Sequence, residues 1–144
     1  QHQRVELFRS LLDDYPSSRN RIIIEARKDI PPILRGEIWA CILGVDQNYE
    51  QIFKNIIYPD EEVSNCNGEP SFTTDCDRQI SVDVPRCHQY HSKLNCIQGR
   101  KKLELLLKAW VKHHEGSLVY WQGLDSLCAP FVVLNYHEDA LAFS

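Results

Sequence analysis

RKKLELLLKAWVKHH, residues 100–114, contains the clearest secondary-structure signal in the chain. Its apolar side chains recur at positions i, i+3, i+4, i+7 and i+8, and they are Leu103, Leu106, Leu107, Trp110 and Val111. That spacing places all of them on one face of an α-helix and leaves the charged residues on the others. The stretch therefore predicts an amphipathic helix whose apolar face packs against the rest of the protein.

Similar spacing recurs on both sides of this segment and predicts an all-α chain with several helices. The apolar residues that carry the pattern are Val5, Leu7, Phe8, Leu11 and Leu12; Leu34, Ile38, Cys41 and Ile42; Tyr49, Ile52, Phe53 and Ile56; and Leu124, Leu127, Cys128, Phe131 and Val132. Residues 22–24 are three isoleucines, which a strand would also accommodate. The run of Glu, Ala, Arg and Lys at residues 25–28 favours a helix there instead.

Charge is distributed unevenly along the chain. The net charge of −4 argues against nucleic acid as the main partner. Residues 37–83 carry 2 Lys or Arg against 10 Asp or Glu, and many turn-forming residues accompany these charges towards the end of the segment. We therefore expect a long acidic loop at about residues 59–79, with basic character resuming at Arg86.

Length and composition are those of one globular domain, with 144 residues, 43% hydrophobic and 25% charged. No apolar run approaches the roughly 18 residues of a membrane-spanning helix, and no signal segment opens the chain. The six cysteines contain no Cys-x-x-Cys pair. Their even number would suggest disulfides in a secreted chain, but without a signal segment we expect free thiols in a reducing compartment. Cys87, His88, His91 and Cys96 lie close together, but not at zinc-finger spacing, and we expect no metal site.

Two short stretches carry side chains suited to phosphoryl chemistry: ISVDVPR at residues 80–86 and YWQG at residues 120–123. Arg86 supplies a planar, permanently charged guanidinium that can meet phosphoryl oxygens through two N–H groups. Gln122 supplies an amide that can hold a water molecule. Taken alone, Arg86 would be half of a surface salt bridge and Gln122 a polar residue in the first turn of a helix.

The backbone before Arg86 also has a predictable conformation. Pro85 fixes its own φ and biases Val84 away from the helical region, so we expect Arg86 to emerge from an ordered turn. Asp83, three residues before Arg86, is placed to orient the guanidinium or to cap the local backbone.

Together with a third stretch, these residues resemble a known family. Ile-x-x-Asp-x-x-Arg at 80–86, Tyr-x-Gln-Gly at 120–123 and Arg-x-x-x-Trp at 35–39 resemble three fingerprints of the TBC domain, the catalytic module of Rab GTPase-activating proteins. The three stretches occur in that family's order. The residues that flank them, 83–90 and 120–131, look most similar to the TBC kinase-like proteins.

The resemblance implies an all-α TBC domain over residues 1–144 that activates a Rab-family small GTPase in trans and has no catalytic activity of its own. It implies two catalytic residues, Arg86 as an arginine finger and Gln122 as a glutamine finger that replaces the GTPase's own glutamine. It implies supporting roles for Asp83, Tyr120 and Gly123.

Arg35 and Trp39 are four residues apart, so they share one helical face. By themselves they predict a core tryptophan covered by an arginine. The resemblance implies that they support the loop that presents Arg86 and do not touch nucleotide.

The family also implies what accompanies the domain. GTP and Mg²⁺ would be carried by the partner GTPase, so the chain needs no cofactor of its own. We expect a cytoplasmic protein that reaches membranes only through its Rab partner, and a domain that continues beyond Ser144. The alternative is a catalytically inactive TBC-like scaffold that binds a Rab or another protein. A self-sufficient nucleotide enzyme is disfavoured because the sequence has neither a Gly-rich phosphate loop nor a kinase catalytic loop.

Overall fold

The computed structural model describes residues 2–45, 48–58 and 74–144, and every regular element in those ranges is a helix. The all-α prediction is therefore confirmed. The chain divides into two compact units, residues 1–47 together with Ser144, and residues 48–143.

The first unit contains three α-helices: α1 (His2–Asp13), α2 (Arg19–Ala26) and α3 (Arg35–Leu43). A short 3-10 helix, Pro32–Leu34, leads into α3. The three isoleucines of residues 22–24 are thus helical, as the charged run after them favours. The buried core of this unit consists of Phe8, Leu11, Ile22, Leu34 and Ile38.

The second unit is built around α7, the helix predicted from residues 100–114. Its described elements are α4 (Tyr49–Ile57), α5 (Asp77–Asp83), a 3-10 helix (Val84–Arg86), α6 (Ser92–Asn95), α7 (Ile97–His113), α8 (Leu124–Leu134) and α9 (Asp139–Phe143). Helix α7 contacts each of the five other α-helices. Leu103, Leu106, Leu107 and Val111 are buried on its inner face. The periodicity of the sequence thus identified the central helix of the unit.

The predicted acidic loop is wrong at its C-terminal end. Helix α5 begins at Asp77, so residues 77–79 are helical, while residues 59–73 lie outside the described residues. The side chain of Asp77 explains the helix start, because its Oδ1 accepts hydrogen bonds from the backbone N–H and the hydroxyl of Thr74, at 3.1 and 2.6 Å. Lys108 of α7 lies 3.5 Å from Asp77 Oδ2 and ties this first turn to the central helix.

The prediction that Val84 avoids the helical region is also wrong. Val84 has φ −52° and ψ −46°, and the chain passes from α5 directly into the 3-10 helix that contains Arg86. Burial explains this result: Ile80, Val84 and Cys87 follow helical spacing, and all three lie in the core of the second unit. The local bias imposed by Pro85 is small beside the burial of that face.

Helix α8 follows its predicted register except at one position. Leu124 and Val132 are buried, and Cys128 and Phe131 are partly buried, as the spacing requires, but Leu127 is 60% exposed. Asp125 of the same helix is buried instead, and it interacts with Cys87, the residue that follows Arg86.

Helices α6 and α7 meet at a contact that only glycine permits. A Cβ atom built on Gly99 would lie 1.6 Å from the carbonyl oxygen of Lys93 and 2.8 Å from its carbonyl carbon. Both are backbone atoms, so no side-chain rotation can relieve the overlap. Gly99 therefore sets how closely the two helices approach.

We expect Gly99→Ala to lower the free energy of unfolding by at least about 1–3 kcal/mol, the usual cost of overpacking a filled site. In an open helical position the same substitution would stabilise by roughly 1 kcal/mol. Urea unfolding measures the difference, with Gln98→Ala, at the exposed neighbouring position, as the matched control. An unchanged or increased stability of Gly99→Ala would contradict the close approach of the two backbones.

Candidate functional site

The Asp83 carboxylate joins the two stretches that the sequence singled out. Its Oδ1 accepts a hydrogen bond from Arg86 Nη2 at 2.6 Å. Its Oδ2 accepts hydrogen bonds from the Tyr120 hydroxyl and from Gln79 Nε2, both at 2.9 Å. Asp83 and Tyr120 are 37 residues apart in sequence, so this bond connects the arginine-bearing segment to the glutamine-bearing segment.

The surroundings of Asp83 keep it ionised. The side chain is only 4% exposed, and burial alone would raise the pKa of its carboxyl. The hydrogen bond from Gln79 is the largest influence and lowers the pKa, and the bonds from Tyr120 and Arg86 add to it, so the pKa falls below the ordinary value of 3.8. The charge of Arg86 acts in the same direction. Asp83 is therefore a buried anion with a hydrogen-bond donor on each side.

Tyr120 is the other buried member of this network. Burial and the bond to Asp83 both raise the pKa of its hydroxyl, so the phenol stays protonated and donates. The proposed supporting roles of Asp83 and Tyr120 have a physical basis in this bond, which fixes both segments to each other.

Arg86 is held at its base and open at its tip. Nε donates to the carbonyl oxygen of Val82 at 3.1 Å, and Nη2 donates to Asp83. A guanidinium has five N–H donors, so three of them make no hydrogen bond to the described residues. The side chain is 59% exposed. The two bonds limit the motion of the guanidinium while part of it faces outward.

Gln122 stands at the tip of a tight turn. The Leu124 N–H donates to the Trp121 carbonyl oxygen at 3.1 Å, which closes a four-residue turn over residues 121–124. Gly123 occupies the third position with φ +105°, a value that type II turns require there and that glycine adopts without strain. No atom lies within 4 Å of a Cβ built on Gly123, so its φ, and not a close contact within the chain, calls for glycine. The Gln122 side chain is exposed.

A second pair of buried side chains links the same two segments. Burial raises the pKa of the Cys87 thiol to about 12, and the negative charge of Asp125 and a hydrogen bond to it contribute further. Cys87 directly follows Arg86, and Asp125 lies in the first turn of α8, which begins after Gly123. Sequence reasoning missed Asp125 and Gln79 as members of the site. The signal for Asp125 was its position beside Val132 on the inner face of α8, whereas Gln79 fell in the stretch that was expected to be a loop.

Arg35 and Trp39 lie in α3 of the first unit, whereas Arg86 and Gln122 lie in the second. Arg35 Nη2 donates to the Ile30 carbonyl oxygen at 3.5 Å, and Trp39 is partly buried. Arg35 therefore has a partner within its own unit. Support of the Arg86 segment by these residues stays a prediction.

Two of the four residues considered for zinc contact tyrosine hydroxyls. His88 Nδ1 is 2.7 Å from the Tyr90 hydroxyl, and Cys96 Sγ is 3.5 Å from that of Tyr136. Across the described ranges no three His, Cys, Asp or Glu side chains are grouped as metal ligands. The cysteines within those ranges, Cys41, Cys76, Cys87, Cys96 and Cys128, are free thiols. None of the helices described has the length and apolar character needed to cross a bilayer.

Comparison with known proteins identifies the class to which this fold and this pair of motifs belong. Residues 32–144 match the Rab-GTPase-TBC domain. The match covers most of the chain and includes all three fingerprints, and the chain belongs to this family. No solved structure gives a significant match.

The curated relatives narrow the similarity further. A TBC domain-containing protein kinase-like protein of Gallus gallus is 47% identical over 148 aligned residues, which cover 100% of this chain and 15% of the relative. The Homo sapiens protein of the same name is 46% identical with the same coverage. That of Dictyostelium discoideum is 37% identical over 138 residues, 96% of this chain and 12% of the relative. The similarity to TBC kinase-like proteins is thus confirmed, and the chain spans about 15% of the length of the first of these relatives.

We expect Asp83→Asn to lower the free energy of unfolding at neutral pH by roughly 1–3 kcal/mol, because an amide offers one acceptor oxygen in place of two. The folded-state pKa of Asp83 lies below its ordinary value of 3.8. Its carboxylate therefore stabilises the fold above that value, and this contribution disappears as the pH falls through the lower, folded-state pKa.

Urea unfolding over this pH range should show a smaller acid loss of stability for Asp83→Asn than for the unsubstituted chain. Asp75→Asn, at an exposed position just before α5, is the matched control. Parallel pH profiles for the Asp83 variant and the unsubstituted chain would contradict the assignment of Asp83 as a buried, stabilising anion.

Proposed function

We propose that the chain accelerates GTP hydrolysis on a Rab-family GTPase, with Arg86 as an arginine finger and Gln122 as a glutamine finger. The observation that carries the proposal is the shared Asp83 carboxylate, which bonds both to Arg86 and to Tyr120, two residues before Gln122. The two exposed side chains are thus presented from segments that one buried anion holds together.

Arg86 has the properties that a finger needs. Hydrolysis passes through a loose transition state in which negative charge spreads over the phosphoryl oxygens. The donors of Arg86 that make no hydrogen bond to the described residues can meet those oxygens while its bond to Asp83 persists. Because this bond already orders the guanidinium, docking costs less side-chain entropy than it would for a freely rotating arginine.

Gln122 has the groups needed to hold the attacking water. Its amide oxygen can accept a hydrogen bond from that water, and its NH₂ group can donate to a neighbouring acceptor. In-line attack requires the water to stay in one position behind the phosphorus. The turn over residues 121–124 limits the backbone motion of Gln122, which supports that role.

The partner completes the chemistry. GTP and Mg²⁺ belong to the GTPase, and this chain contributes a cation and an amide without binding nucleotide alone. Membership of the Rab-GTPase-TBC family supports a Rab partner, and with it a cytoplasmic location in which membranes are reached through that partner.

Single-turnover GTP hydrolysis on a panel of GTP-loaded Rab proteins tests the proposal. We expect Arg86→Ala, Arg86→Lys and Gln122→Ala to remove most of the stimulation on the GTPase that responds. The loss for Arg86 approaches the ~10³–10⁵-fold effect of arginine fingers in general. Lysine fails because its single ammonium cannot donate both to Asp83 and in a fork to phosphoryl oxygens.

Two substitutions at other exposed positions serve as matched controls. Arg78→Ala removes an exposed arginine from α5, and Gln98→Ala removes an exposed glutamine from α7; both should leave stimulation unchanged. Stimulation that survives in the Arg86 and Gln122 variants would refute the assignment. Rab binding without faster hydrolysis would instead establish the scaffold alternative.

A further inference from the structure

We propose that Trp121 is a positioning residue for Gln122, acting through an aromatic contact with Trp110 of the central helix. The catalytic part of this inference rests on the proposed function, and it extends that function to a residue in the variable position of Tyr-x-Gln-Gly. The positioning itself is a property of this chain that can be measured without a GTPase.

The contact lies between the two indole rings. The ring centroids of Trp110 and Trp121 are 5.9 Å apart with an interplanar angle of 79°, an edge-to-face arrangement. Such pairs contribute beyond the area that they bury, because the positive edge of one ring meets the negative face of the other. Trp121 is nevertheless 47% exposed. Its anchoring therefore depends on this specific contact more than on general burial.

Trp110 also contacts a second aromatic ring. Its ring lies 4.4 Å from that of His114, and His114 Nδ1 is 2.9 Å from the Trp110 carbonyl oxygen. Trp110 belongs to the last turns of α7, and His114 directly follows that helix. Helix α7 contacts every other described α-helix of the second unit. The ring of Trp121 is thus attached to the central helix of the unit.

The attachment fixes the turn that carries Gln122. Trp121 is the first residue of that turn, and its carbonyl oxygen accepts the closing bond from Leu124, whose side chain is buried in the core. Tyr120, one residue earlier, is fixed by Asp83. Without the Trp121 ring, the backbone between Tyr120 and Leu124 would still be held at both ends, by the bond of Tyr120 to Asp83 and by the burial of Leu124. It would lose the side-chain contact next to Gln122.

Amide hydrogen exchange tests the positioning directly. We expect Trp121→Ala to reduce the protection of the Leu124 N–H about two- to tenfold, the range set by one aromatic pair. Trp121→Phe should largely restore the protection, because a phenyl edge can replace the indole edge. The Cys87 N–H, which donates to Asp83 and Val84 carbonyl oxygens in the other segment, should not change in either variant.

Repeating the Trp121 substitution in a Trp110→Leu variant separates the contact with Trp110 from other effects of the Trp121 ring. In Trp110→Leu, replacing Trp121 by alanine should cause no further loss of Leu124 protection, because the partner ring is already absent. Circular dichroism confirms that each variant folds. If Trp110→Leu does not fold, Leu124 protection in the single Trp121 variants still tests whether Trp121 positions the turn. Full protection of Leu124 in Trp121→Ala would overturn the proposal.

Kinetics on the responsive GTP-loaded Rab then test the consequence for catalysis. We expect Trp121→Ala to lower kcat by about two- to tenfold with little change in KM. Trp121→Phe should restore kcat. When Gln122 is already alanine, Trp121→Ala should lower kcat no further. A fall of equal size in both backgrounds, or a change in KM alone, would make Trp121 a contact to the partner and overturn the positioning role. If the unsubstituted chain stimulates no Rab, the proposed function fails, while hydrogen exchange still decides the positioning.

Discussion

A buried carboxylate with donors from three directions is the interaction on which the site depends. Removing Asp83 from water is unfavourable unless its oxygens are satisfied, and Gln79, Arg86 and Tyr120 satisfy them. The need to compensate this one charge draws α5, the 3-10 helix and the segment before α8 to one place. An exposed ion pair would impose no such requirement, because water would replace any missing partner.

The fold provides the rigidity that this network needs. Helix α7 contacts every other α-helix of its unit, and the close approach at Gly99 fixes α6 against its first turns. Arg86 and Gln122 themselves lie at the surface, the first in a 3-10 helix and the second in a tight turn. A site of this kind combines exposed tips with buried supports, which allows contact with a partner at a small cost in conformational entropy.

Sequence patterns predicted the elements well and their junctions less well. The spacing of Leu103, Leu106, Leu107 and Val111 identified α7 because one long amphipathic face determines a helix almost alone. The rule for residues before proline failed at Val84, because local backbone preference yielded to burial of the face that includes Ile80. Leu127 was assigned to the core because the hydrophobic pattern gives no information about a buried polar residue such as Asp125.

The sequence predicted individual residues of the site but not the contacts between them. The order of three motifs suggested the family to which the chain belongs, and that resemblance singled out Arg86 and Gln122, whose residue types are merely compatible with phosphoryl chemistry. Contact between Asp83 and Tyr120 spans 37 positions, and no local spacing encodes it. The participation of Gln79 depends on the turn of α5, which the sequence reasoning had placed partly in a loop.

The two carboxylate oxygens of Asp83 accept hydrogen bonds from different residues, and this matters for the interpretation of natural variants. Because Oδ2 accepts hydrogen bonds from Gln79 and Tyr120 while Oδ1 accepts one from Arg86, a change at Gln79 or Tyr120 can misalign the Arg86 guanidinium. An allele that retains both the arginine and the glutamine is therefore not a functional allele by that fact alone. The effect of such a variant on the site has to be judged from residues 79, 83, 86, 120 and 122 together.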